Sequence, residues 1–118
     1  MTRRDDTVSI RHMFDHAVEA VEMARGRSRT DLDRDRQLNL ALVRLVEIIG
    51  EAAKRVGPAT QEAHPQVPWT QIIGTRNRLI HGYDRVNFDI LWRIVAVELP
   101  PLIQQLEAIL ASHPEGGS

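Results

Sequence analysis

Within eight residues, Arg76 to Tyr83, read as RNRLIHGY, the chain gathers a guanidinium that stays charged, an amide, an imidazole and a phenol. From Arg76 to Arg85 there are three arginines (Arg76, Arg78, Arg85) and His81 against one acid, Asp84. The segment is therefore positive in a chain of net charge −1 and pI near 6.5. These groups suit phosphate chemistry. Cleaving RNA without a metal needs a base for the ribose 2′-OH proton, an acid for the leaving oxygen and a cation beside the crowded phosphate. Histidine serves as base or acid, and arginine suits the phosphate. A plainer role covers part of the cluster: cations at a helix C-terminus stabilise the helix dipole by about 0.3–1 kcal/mol, which accounts for Arg78 and His81 singly. It does not account for the combination.

Geometry limits what one copy can do. At roughly 100° per residue, Arg76 and His81 point about 140° apart on a straight helix, whereas Arg76 and Tyr83 lie within about 20° and Asn77 shares a face with His81. Either the helix unwinds at Gly82 and redirects its end, or two chains pair and use the motif twice across a symmetric interface. The second arrangement also supplies a second histidine.

Other polar clusters carry less. His12 and His16 stand four apart with Asp15 between them, a spacing that fits two imidazoles on one metal, but no third ligand presents itself and no HExxH motif occurs, so no metal site is assigned. The mixed charges from Arg25 to Arg36 read as a solvated loop and helix start, without chemistry. Glu47 and Glu51, four apart, are structural partners for Arg76 or Arg78. Cysteine is absent, which excludes disulfides, thiolate nucleophiles and sulfur-ligated metals.

Helices must position the motif. Ile10, Met13, Phe14, Ala17, Val21 and Ala24 make one stripe, so a first helix runs from about Thr7 to Arg25, capped by Asp5, Asp6 or Thr7 and closed at Gly26. Thr30, Asp31 or Asp33 caps a second, in which Leu38, Ala41, Leu42, Leu45, Ile48, Ile49, Ala52 and Val56 keep the period up to Gly57 and Pro58. Gly50 within it permits close packing. Pro58 starts a short third helix through Ala63. Pro68 starts a fourth in which Trp69, Ile72, Ile73, Arg76, Ile80 and Tyr83 continue toward Gly82, placing the motif in its C-terminal half. Asn87 caps the last helix, whose apolar stripe runs from Phe88 to Ile109 and which Pro100 and Pro101 kink near Val97 to Pro100. The reading is all-α, a bundle of four to five helices, with one domain at 1–111 and a frayed tail at 112–118.

The 118 residues, 42% apolar and 26% charged with five aromatics, suit one modest globular core. A near-neutral charge argues against non-specific coating of nucleic acid. The N-terminus MTRRDDTVSI is too polar for a signal peptide, and no apolar run approaches a membrane span of about 20 residues, so the expected address is the cytoplasm.

Arg76, NRLI, His81, Gly82 and Tyr83 match the signature of the HEPN superfamily in its HepT-like branch, and IIGEAAKR, PWTQIIGTRNRLIHGYDRVNFDILW and LPPL resemble that branch too. The similarity spans roughly Asp31 to Leu110. It implies a HEPN-type helical bundle that dimerises and cleaves RNA without metal or cofactor, as the toxin of a type VII-like toxin–antitoxin pair. The implied partner is a minimal nucleotidyltransferase of the MntA type, which silences the toxin by adenylylating Tyr83. Arg76 and His81 carry over as catalytic, with Asn77 and Arg78 positioning the substrate. The rival is a HEPN subunit that docks on a nucleotidyltransferase and cuts nothing; a plain structural dimer is the blandest alternative.

Overall fold

The computed structural model describes residues 4–80 and 85–112; His81 and Tyr83, with Gly82 and Asp84, lie outside them, as does the tail beyond Ser112. The elements are α1 (Arg4–Ala24), α2 (Asp31–Arg34), α3 (Arg36–Arg55), α4 (Pro58–Ala63), α5 (Trp69–Ile73), α6 (Thr75–Leu79), α7 (Phe88–Arg93), a π-helical turn (Ile94–Glu98) and α8 (Leu99–Ala111). Three long rods build the bundle: α1, α3 and the composite α7–π–α8. α1 packs along both others. Its stripe, Ile10, Met13, Ala17 and Ala20, is wholly buried against Leu42, Val46, Ile49, Leu102 and Leu106 in one shared core. Each such Leu or Ile contributes about 1.5–3 kcal/mol by leaving water. Among the described residues extended pairing amounts to one isolated bridge, Ile80 with Val86.

The all-helical HEPN-type bundle agrees with the sequence reading, and its local signals explain much of it. Gly26 closes α1 with φ +75°, a conformation that suits a residue without Cβ. α3 ends at Arg55 before Gly57 and Pro58, as expected. The cap is corrected: a separate short helix, α2, occupies Asp31–Arg34, and Asp35 caps α3 by accepting the Leu38 N–H at 3.0 Å. Arg27 donates to the same carboxylate at 2.8 Å, and these bonds hold Asp35 below the ordinary carboxylate pKa. Asp6 caps not its own helix but α4: it is buried and accepts from Gly57 N–H (3.1 Å) and the Thr60 hydroxyl (2.6 Å).

The charge run also has a structural task. Arg29 donates to Asp89 (2.6 Å) and Asp33 (3.1 Å) and lies over the Phe88 ring at 5.8 Å, tying the first loop to the start of α7. Asn87 caps α7 through Ile90 N–H at 3.1 Å. The break expected near Val97 to Pro100 takes the form of the π turn, set just before the two prolines that lack N–H donors. By length and composition Phe88–Ala111 (24 residues, mean hydropathy 1.4) is long enough to span a membrane, contrary to the expectation from the sequence. Leu91, Val95, Leu99, Leu102 and Leu106 instead serve the core.

Candidate active site

The fourth helix does not run through to Gly82. It bends at Gly74, which ends α5 and precedes α6, and stops at Leu79. Ile80 turns extended to bridge Val86, and Asn87 N–H donates to Leu79 O at 2.8 Å, so α7 starts beside the end of α6. The angle between Arg76 and His81 expected on one straight helix falls outside the described residues, since His81 is not among them; the described helix stops at Leu79.

A five-residue helix has little stability alone, and packing sets its pose. Thr75 and Leu79 are buried and share the inward face. Arg76 and Asn77 are exposed, and Arg78 is partly buried. On this wheel Arg76 and Arg78 flank the inward edge on opposite sides, each by about 80°. α5 is seated on α3 through Gly50, where an added Cβ would come within 3.0 Å of the Ile72 carbonyl oxygen. The expected close approach at that glycine is thus real.

Arg76 opens onto a cavity of about 310 Å³ that it lines with Arg44, Glu47, Gly50, Glu51, Lys54, Ile73 and Thr75. It forms no ion pair or side-chain hydrogen bond with any described residue. Glu47 and Glu51 share the cavity but are not its partners: they face Arg44, at 3.7 and 3.2 Å. A charged, unengaged guanidinium at the lip of a polar cavity is placed to meet an anion. Asn77 is likewise exposed beside it.

Arg78 is engaged elsewhere. Its Nη1 donates to Glu98 Oε1 at 2.9 Å and its Nη2 to Oε2 at 2.7 Å, a bidentate pair with side-chain exposures of only 28% and 22%. The Glu98 hydrogen bonds raise the Arg78 pKa above its ordinary value. Reasoning from sequence missed Glu98. The signal was present: it is the one carboxylate between Asp89 and Glu107, set in an apolar stripe just before the paired prolines. Lys54 was missed as well, because only folding brings the end of α3 beside α6. His12 and His16 stay surface neighbours, ring centroids 6.2 Å apart, with the His16 ring nitrogen 2.7 Å from the His12 carbonyl oxygen. No group of three metal-ligating side chains occurs among the described residues.

The family model for Ribonuclease HepT-like proteins matches residues 13–109, a span that takes in α3, the cavity, the motif and the Glu98 turn. The chain belongs to the HepT-like ribonuclease family. Among curated relatives of this HepT-like protein, "Putative RNase TTE0752" of Caldanaerobacter subterraneus subsp. tengcongensis is 39% identical over 101 residues, covering 86% of this chain and 90% of its own. "Probable ribonuclease HepT" of Thermococcus cleftensis is 35% identical over 75 residues, 64% of this chain and 68% of its own. "Putative RNase MJ1380" of Methanocaldococcus jannaschii is 28% identical and matched along 100% of its length. No solved structure matches the chain.

Proposed function

We propose that this HepT-like chain is a metal-independent endoribonuclease that acts in the cytoplasm as a homodimer. In this reading it is the toxin of a type VII-like toxin–antitoxin pair, held in check by an MntA-type nucleotidyltransferase. The observation that carries the reading is Arg76, exposed at the lip of a polar cavity without an ion pair to any described residue, in a chain of a ribonuclease family.

Arg76 binds the scissile phosphate and offsets the charge that builds as the 2′-oxygen attacks. His81 of one protomer takes the 2′-OH proton as the O2′–P bond forms. His81 of the second protomer donates a proton to the 5′-oxygen as the P–O5′ bond breaks. The products are a 2′,3′-cyclic phosphate and a free 5′-hydroxyl. Asn77, beside Arg76, orients the phosphate; Arg78 contributes to positioning through the fold, since Glu98 holds its guanidinium. Adenylylation joins the Tyr83 oxygen to the α-phosphorus of ATP and expels pyrophosphate, leaving a bulky anion two residues from His81.

RNA cleavage by the purified chain tests this directly. Wild type should leave 2′,3′-cyclic phosphate ends in the presence of a chelator and should not cut a substrate with a 2′-deoxy sugar at the scissile position. His81→Ala should lose cleavage and growth inhibition. Equal cutting of the deoxy substrate would rule out 2′-OH attack, and tight binding to the nucleotidyltransferase with no cleavage of any RNA would point to a docking subunit instead. Intact mass after incubation with the partner and ATP tests the switch: one added adenylate, absent in Tyr83→Phe, is expected.

A further inference from the structure

α6 carries Arg76 toward the α3 cavity on one flank and Arg78 toward the π turn on the other, with Thr75 and Leu79 buried between them. Gly74 and the extended Ile80 limit α6 to five residues; backbone bonds from Gly74 N–H to Thr70 O (3.0 Å), Arg78 N–H to Gly74 O (3.2 Å) and Asn87 N–H to Leu79 O (2.8 Å) join it to α5 and α7, and side-chain contacts add to what fixes its turn about its own axis. Among the described residues the charged grip on that rotation is Glu98, 20 residues away in sequence, holding Arg78 through two hydrogen bonds. Glu98 is itself aimed by an unusual backbone: it ends the π turn, whose Leu99 N–H reaches back to Ile94 O. π turns of this kind are frequent at functional sites.

We propose that Glu98 is a positioning residue for RNA cleavage: by holding Arg78 it sets the rotation of α6 and thereby the aim of Arg76. The inference rests on the reading of Arg76 as catalytic. Its size follows from geometry. A side-chain tip about 5–6 Å from a helix axis moves about 1 Å for a rotation of about 10°, and a displacement of 1 Å at a reacting centre costs about 100-fold in rate. Arg93, with its Nε 3.7 Å from the same carboxylate and largely exposed, is a weak second contact and does not replace Arg78.

The same pair allows an opposite role, in which Glu98 masks Arg78 from the RNA, and the two differ in sign. Steady-state cleavage of one RNA by wild type, Glu98→Ala, Arg78→Ala and the double variant separates them. If Glu98 positions, Glu98→Ala lowers kcat at least tenfold while KM stays within about threefold. Arg78→Ala does the same, and the double variant is no worse than either single, because the two residues act as one unit. Glu98→Gln, which keeps the shape and one hydrogen bond, falls between, and covers the case in which the alanine variants fold poorly. Unchanged kcat, a lowered KM on freeing Arg78, or losses that multiply in the double variant would each overturn the proposal. Amide hydrogen exchange gives a readout independent of activity. Thr75 to Leu79 should exchange faster in Glu98→Gln while α1 keeps its protection, and equal exchange at α6 would also overturn it. A wild type that cuts no RNA defeats the ribonuclease reading alone, since the exchange measurement still decides whether Glu98 holds α6.

Discussion

α3 and the α5–α6 pair read alike in sequence, each a stripe of apolar residues at helical spacing, yet they fold differently. α3 is a single 20-residue helix with a side-chain cap and a buried face. The second stripe becomes two five-residue helices hinged at Gly74, with the chain leaving the helix at Ile80. The difference lies in what holds each one. α3 meets α1 along its length, so its own period and its packing agree. α5 and α6 are too short to persist alone and depend on specific outside groups: the Gly50 seat, the Leu79–Asn87 hydrogen bond and the Glu98 pair. The scaffold is stable through area, and α5 and α6 are placed through a few contacts added to a small buried face.

Single substitutions separate those two roles. Leu42→Ala, in the fully buried face of α3, should lower stability by about 2–5 kcal/mol, read as a shift in urea midpoint, while cleavage per folded molecule stays near wild type. Arg76→Ala should do the reverse: cleavage falls at least about 100-fold, some 2.7 kcal/mol of activation, with stability within about 0.5 kcal/mol. A large Tm loss in Arg76→Ala would show the cation to be structural. Gly50→Ala should affect both, because its Cβ meets backbone 3.0 Å away and must push α5 off α3; about 1–3 kcal/mol of stability and a clear fall in kcat are expected.

Legibility in the sequence divided along the same line. Where a segment's fate is decided by its own residues, the reading held: the Gly26 stop, the Gly57–Pro58 stop, the Asn87 cap, the close approach at Gly50 and the disturbance before Pro100. Where distant groups decide, it did not. Nothing local distinguishes Asp35 from Asp31 or Asp33 as the cap of α3; the choice depends on α2 folding separately and on Arg27 reaching back. Helical spacing continued past Leu79 on paper because periodicity is blind to the return of Val86 and Asn87. Glu47 and Glu51 were matched to the motif arginines, whereas Arg44, on their own helix, takes them. Arg76 stood out by its chemistry, and Glu47, Gly50 and Glu51 of the cavity beside it were read from α3; Arg44 and Lys54, which α3 also brings there across the fold, were not.

The cap of α3 contributes to the scaffold alone. Asp35→Ala should lower the urea midpoint through the lost α3 cap and leave kcat unchanged. The pH dependence follows from its lowered pKa. A carboxylate held below its unfolded value of about 3.9 contributes fully above that pH, and its contribution fades as pH falls through the folded value. The difference in urea midpoint between wild type and Asp35→Ala should therefore be constant from pH 7 to 5 and shrink toward pH 2. A gap that widens on acidification would contradict the assignment.

The Arg78–Glu98 pair also orders events in time. A ribosome adding about 5–20 residues per second needs about one to four seconds to pass from Arg78 to Glu98. During that interval the nascent chain has Arg78 but not the carboxylate that holds it, nor the α8 face that packs against α1. On the proposed role of Glu98, translation passes Arg78 well before its positioning partner exists, and α6 takes its final rotation only after the π turn has been made.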